Sequence, residues 1–251
     1  MALSELNPNY TNYGIYDINN DLDFNLPNID IKFRNIGENV FSYFRRDAED
    51  NTVERMIPTK NNKIRIEIAP IRPLNHPSHR TSYLYLELET PVFLSENSQA
   101  KIFARCPIEI GIFLIDGENK NSLDFFTCDP INSRFGLYGT PESGTLCKYT
   151  KSEIVESYDD SKPYVDAIME IHFGNELSRG QSISKVIFPV TENSIYYNGS
   201  KAIYDSINAV LKKKLTIETL DISARNISTD WAKSPDYERK ELVKRLNMGV
   251  D

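Results

Sequence analysis

The chain has 251 residues, 40% hydrophobic and 26% charged, with a formal net charge of −7. That length accommodates a large core, as one β domain or as two closely packed halves. The acidic balance repels polyanions and argues against nucleic acid as a partner, and Arg45-Arg46 and Lys212-Lys213-Lys214 sit among acids and read as solvated surface.

The first thirty residues carry Asn, Asp and Tyr where a secretory leader has a basic start and an apolar stretch. The most apolar run, IEIGIFLI at 108 to 115, is far shorter than the roughly 20 residues that span a bilayer. The expectation is a cytoplasmic chain without membrane insertion. Cys106, Cys128 and Cys147 form no CxxC pair and are odd in number, which predicts reduced core thiols rather than a disulfide framework.

Strand periodicity dominates in chain order. NVFSYFRR at 39 to 46 ends in the turn DAEDN. KIRIEIA at 63 to 69 puts Ile64, Ile66 and Ile68 on one face and Lys63, Arg65 and Glu67 on the other, which predicts a half-buried antiparallel strand. SYLYLELE repeats the pattern, with Leu84, Leu86 and Leu88 inward and Tyr83, Tyr85, Glu87 and Glu89 outward. CPIEIGIFLI, AIMEIHF at 167 to 173 and VIFPV at 186 to 190 are further strands, with Pro189 marking an end or an edge. Residues 200 to 214 fit a helix, through Ile203, Ile207 and Val210, and a strand, through Ile207, Ala209 and Leu211. SPDYERKELVKRL, with Ser234 as N-cap and Pro235 at the first helical position, predicts a helix from about 235 to 246. Together these features predict an all-β, antiparallel β-sandwich over residues 1 to 230, with a helical tail over 231 to 251. If doubled, it splits near 117 to 122. The corners PVFLSENS at 91 to 98 and PVTENS at 189 to 194 are the only sign of such a duplication.

Among candidate sites, RFGLYGTPESGTLCKY at 134 to 149 has the glycine density of a phosphate loop. Gly139 and Gly144 match GxxxxG, but Thr145 and Leu146 stand where Lys and Ser or Thr must follow, and a strand rather than a helix comes next. Pro141 excludes a nucleophile elbow at Ser143, so GTPESG reads as a hairpin corner. His76 and His79 have ligand-like spacing for a metal, with His172 as the remaining histidine, but a third ligand is not evident and two exposed loop histidines are expected. No cysteine has a local activating partner: Lys148 points to the opposite face from Cys147. Tyr83 and Tyr85 share a strand face with Glu87, with Arg65 or Lys63 on a neighbouring strand, an arrangement suited to a sugar or a protein partner.

YFRR at 43 to 46, ETPVFLSENS at 89 to 98, CPIEIGIF at 106 to 113 and LYGTPESGTLCKY at 137 to 149 resemble the archaeal family called domain of unknown function 432, over most of residues 12 to 230. The resemblance implies an archaeal, cytoplasmic, β-rich protein and brings no activity, cofactor or catalytic residue. The expected function is a non-enzymatic binding or regulatory module that engages a protein partner or a second copy of itself, without a cofactor. The alternative is a small-molecule or carbohydrate binder, or an enzyme, with a cleft near 138 to 149 that uses Tyr138, Tyr149 and the His76 loop.

Overall fold

The structure is a computed structural model that describes residues 10–75, 80–129, 134–215 and 217–236. In chain order the strands are β1 (Gly14–Ile18), β2 (Leu22–Leu26), β3 (Ile29–Gly37), β4 (Val40–Arg46), β5 (Thr52–Pro58), β6 (Ile64–Ile71), β7 (Tyr83–Leu94), β8 (Gln99–Pro107), β9 (Glu109–Asp116) and β10 (Asn119–Phe126). There follow β11 (Arg134–Tyr138), β12 (Thr145–Ser152), β13 (Ile154–Val155), β14 (Asp166–Asn175), β15 (Gln181–Pro189), β16 (Ile195–Asn198), β17 (Lys201–Tyr204), β18 (Ser206–Lys214), β19 (Ile217–Arg225) and β20 (Ala232–Lys233). The helical turns among the described residues are single 3-10 turns at 158–160 and 190–192, and no helix there is long and apolar enough to cross a membrane. The fold is all-β. The helix expected over 235 to 246 lies outside the described residues beyond Asp236.

Four sheets form. The meander β2-β3-β4-β5 packs against a sheet in the order β1-β6-β9-β10: Tyr16 of β1 meets Phe24 of β2 edge to face, and Arg45 of β4 lies over the Phe126 ring of β10. The other two sheets are β11-β12-β7-β15 and a larger one built along β13-β8-β14-β17-β16-β20, with β18 and β19 attached to β14. All contribute to one continuous apolar cluster. Residues 117–122 hold the turn and the first part of β10 in the β9–β10 hairpin, which is laid against β6 in the same sheet. Both Glu-Asn-Ser corners lead from the β7-containing sheet into the β8-containing sheet, one between β7 and β8 and the other between β15 and β16. They turn corners of the same pair of sheets.

Burial follows the alternation in most strands. Ile64, Ile66 and Ile68, and Leu84, Leu86 and Leu88, are all buried. Residues 201–204 and 206–214 are strands, β17 and β18: β18 lies parallel to β14 and antiparallel to β19, and Ile207, Ala209 and Leu211 point inward. Pairing on both sides decided between the two periods.

Several expectations need correction. Arg45 is not solvated: it is 8% exposed and its Nε bonds Asp124 Oδ2 at 2.6 Å, while Arg46 pairs with Asp30 at the surface. Arg65 and Lys63 do not face the tyrosines of β7, because β6 lies between β1 and β9 and both cations reach toward Asp17. Glu67, expected outward, is buried because Tyr197 of β16 covers it and donates to Oε1 at 3.0 Å.

Candidate functional site

The glycine-rich stretch is a hairpin. Arg134, Gly136 and Tyr138 of β11 face Tyr149, Cys147 and Thr145 of β12. In the corner, Gly139 adopts φ +109°, and the Thr140 carbonyl accepts N–H bonds from Ser143 (3.3 Å) and Gly144 (2.6 Å). A Cβ on Gly144 would stand 2.6 Å from that carbonyl, so the turn needs glycine there. These two N–H groups point into the turn, which is the geometry of a structural corner.

The hairpin projects apolar side chains from both faces. Tyr138 (53% exposed) and Tyr83 (39%) lie on one face, where they line a groove of about 440 Å³ that also takes in Ile187 of β15, Leu211 of β18 and Leu220 and Ile222 of β19. Phe135, Leu137 and Leu146 are exposed on the other face, Leu137 directly opposite Leu146. Sequence reasoning missed this second set, although RFGLY, apolar at alternate and adjacent positions, already carried the signal.

Tyr85 and Tyr149 form a separate cluster one row along the sheet. Tyr85 is buried rather than outward, packed edge to face on Tyr149 at 5.4 Å, and a Cβ on Gly136 would come within 3.3 Å of its ring. The Tyr149 hydroxyl donates to Glu87, and that bond raises its pKa. The structure therefore joins Tyr83 with Tyr138 and Tyr85 with Tyr149, with Gly139 and Gly144 at the corner between the strands.

Beside the hairpin lies a cavity of about 230 Å³ whose wall includes Tyr149, Lys148, Arg105 and Asp166. Lys148 sits on the core face of β12; its Nζ donates to the Pro73 carbonyl at 2.9 Å and stands 3.4 Å from Glu109 Oε1. Burial pushes the Lys148 ammonium down, against the pull of Glu109. Glu109, 2% exposed, also accepts the Asn75 backbone N–H at 2.9 Å. Across the cavity Arg105 divides its guanidinium between Glu153 and Asp166, each at 3.0 Å. Burial raises the Asp166 carboxyl, opposed by the Lys162 N–H and Arg105. The long-range pairing of Lys148 with Glu109 was invisible locally.

Burial pushes up the thiols of Cys106 and Cys128, and that of Cys147 as well, which makes all three poor nucleophiles. His172 of β14 bonds Glu170 through Nε2 at 2.5 Å, and Arg225 lies 3.4 Å from the same nitrogen. His76 and His79 lie outside the described residues, and among those described no group of three His, Cys, Asp or Glu side chains converges as a metal site.

A family model described as "Protein of unknown function (DUF432)" matches residues 12–247. No curated protein matches the chain, and no solved structure matches it.

Proposed function

The chain belongs to the DUF432 family, whose description names no activity, and from the geometry of the hairpin we propose that it is a non-enzymatic binding module whose β11–β12 hairpin docks onto a protein partner. One observation carries this: Phe135, Leu137 and Leu146 on one face and Tyr83 and Tyr138 on the other stay exposed together at one end of the sheet. Contiguous exposed apolar and aromatic side chains on a rigid support are the usual anchor of a protein interface. The three unpaired, buried cysteines support a cytoplasmic location in this reading.

The test immobilises the chain in native extract of its source organism beside Leu137→Asp and Tyr138→Ser variants of equal thermal stability. The wild type is expected to retain a partner, which includes native copies of itself, and the variants to lose it. Equal retention by all three, or none by the wild type, overturns the reading.

A second reading rests on the cavity, whose buried charges are already paired and whose volume suits a small polar molecule. A compound present at a hundred times its Kd raises stability by about 2.7 kcal/mol, so a thermal-shift screen of metabolites is expected to yield a stabiliser whose effect disappears in Tyr149→Phe or Arg134→Gln. A flat screen removes this reading and leaves the hairpin.

A further inference from the structure

The partner that best fits the hairpin can be read from the free edge of β11. This strand closes one side of its sheet, and among the described residues no strand pairs with its outer edge. The direction of its backbone groups follows from its neighbour. The Leu146 carbonyl accepts a bond from Thr81 Oγ1 at 2.6 Å, on the β7 side of β12. Alternate residues of a strand direct their N–H and C=O groups to opposite sides. Leu146 and Lys148 therefore turn toward β7, and Thr145, Cys147 and Tyr149 turn toward β11. Their partners Tyr138, Gly136 and Arg134 use their backbone groups inside the hairpin. Phe135 and Leu137 direct theirs outward: two donors and two acceptors on an apolar edge.

Several other long edges of the protein are blunted. β15, at the opposite side of the same sheet, has a register shift between Ile183 and Lys185 and ends on Pro189. β10 shifts register between Ser122 and Asp124. β5 carries Glu54 and Arg55 and ends on Pro58, β19 carries Glu218 and Asp221, and β2 has Thr11 bonded along Asn25. Such features keep strand edges from pairing with other chains. β11 has no bulge and no proline, and its charge is Arg134 at one end.

The strand is also complementary to itself. When two copies of RFGLY are laid antiparallel about a twofold axis through Gly136, Phe135 of one copy falls opposite Leu137 of the other, and Arg134 opposite Tyr138. The outward groups of Phe135 and Leu137 meet as hydrogen-bonded pairs, which gives four main-chain bonds. Gly136 meets Gly136 at the close, non-hydrogen-bonded position, where the absence of Cβ lets the backbones approach. Each Arg134 guanidinium reaches a Tyr138 ring rather than another cation. Shifting the register by two residues pairs three residues instead of five.

Resting on the reading of the hairpin as a protein-docking surface, we propose that its partner is a second copy of this chain, joined by antiparallel β11 pairing that fuses two four-stranded sheets into one of eight across a twofold axis. Such an interface is isologous and self-limiting, since pairing consumes both free edges. Its modest extent places it with small, transient interfaces.

Sedimentation equilibrium of the pure chain tests this at concentrations up to roughly 1 mM, where small interfaces are populated. The wild type is expected to rise toward twice the monomer mass. Leu137→Pro is expected to stay monomeric, because the N–H it removes points away from the sheet and serves no bond among the described residues. Phe135→Glu alone and Leu137→Lys alone are each expected to stay monomeric. The double variant is expected to dimerise again, because positions 135 and 137 face each other only in this register. Circular dichroism establishes that each variant is folded, and the two charge variants stand in if Leu137→Pro is not. A monomeric wild type at all concentrations overturns the proposal, as does a dimer indifferent to these substitutions. If it is overturned while retention of another protein from extract still depends on Leu137, self-pairing fails and the docking reading stands. If that retention is also lost, both fail.

Discussion

Above about pH 10 the protein is expected to lose stability steeply and unfold within one to two further pH units. Burial raises the phenols of Tyr13, Tyr43, Tyr164 and Tyr204 above the ordinary value of 10.0. The Asp124 carboxylate adds to the shift at Tyr43. A raised phenol keeps its proton in the folded chain while the unfolded chain releases it. The stabilising contribution is thus fully present below 10 and is lost as pH climbs toward the folded value. Each such group costs about 1.4 kcal/mol per pH unit in that window, and four together about 5.5 kcal/mol per pH unit, comparable with the whole stability of a typical domain. Lys148 works in the opposite direction, since its lowered pKa makes the folded state gain stability as pH rises toward 10.5; one group does not offset four. The last step in tyrosinate absorbance, which belongs to these buried phenols, should coincide with loss of the near-ultraviolet circular dichroism signal. Ionisation of these phenols near pH 10 with the tertiary signal intact would show that they are not shielded.

Asp124→Ala is expected to destabilise the protein by about 3–5 kcal/mol in denaturant titration, the range for breaking a buried ion pair from one side. Asp124 lies 6% exposed on β10 and reaches across to the meander. It accepts from the Tyr43 hydroxyl at 2.8 Å and from Arg45 Nε at 2.6 Å, and its other oxygen takes the Phe125 N–H at 2.9 Å. Removing the carboxylate leaves the Arg45 guanidinium between two sheets with only the more distant Asp47, 3.9 Å from its Nη1, as an ion-pair partner among the described residues. The double variant Asp124→Leu with Arg45→Met should recover much of the loss, because apolar side chains of similar size remove the stranded charge as well. A loss below about 1 kcal/mol for Asp124→Ala would mean that water reaches Arg45.

NVFSYFRR shows both how much the sequence disclosed and where it stopped. Phe41, Tyr43 and Arg45 share one face by simple alternation, and all three are buried. The pattern already placed Arg45 inside, but the adjacent Arg46 made the pair look like surface, and the carboxylate that makes burial tolerable is 79 residues away. Lys148 and Glu109 repeat the lesson at the cavity: Glu109 opens an apolar strand and Lys148 lies on the core face of a mixed one, and only the packing of β12 near β9 explains either. Alternation predicts which face of a strand a residue occupies. It does not predict whether a second sheet covers that face, which is why Glu67 was expected outward and why Tyr85 was too. The hairpin shows the converse. Phe135 and Leu137 sit on what would be a core face elsewhere in the sheet, and they are exposed because the sheet ends there.

The order of strands in the β1-β6-β9-β10 sheet imposes a schedule on the emerging chain. Once residues 64–71 leave the ribosome, β1 is available to cover one edge of β6, but the strand that covers the other edge, residues 109–116, is not yet made. In the meantime β7 and β8 are synthesised, and neither of them pairs with β6. At ordinary elongation rates of about 5–20 residues per second, the apolar edge of β6 stays open for on the order of seconds. During that interval the nascent chain displays a strand rich in isoleucine with nothing of its own to bind, and it is then most in need of a chaperone.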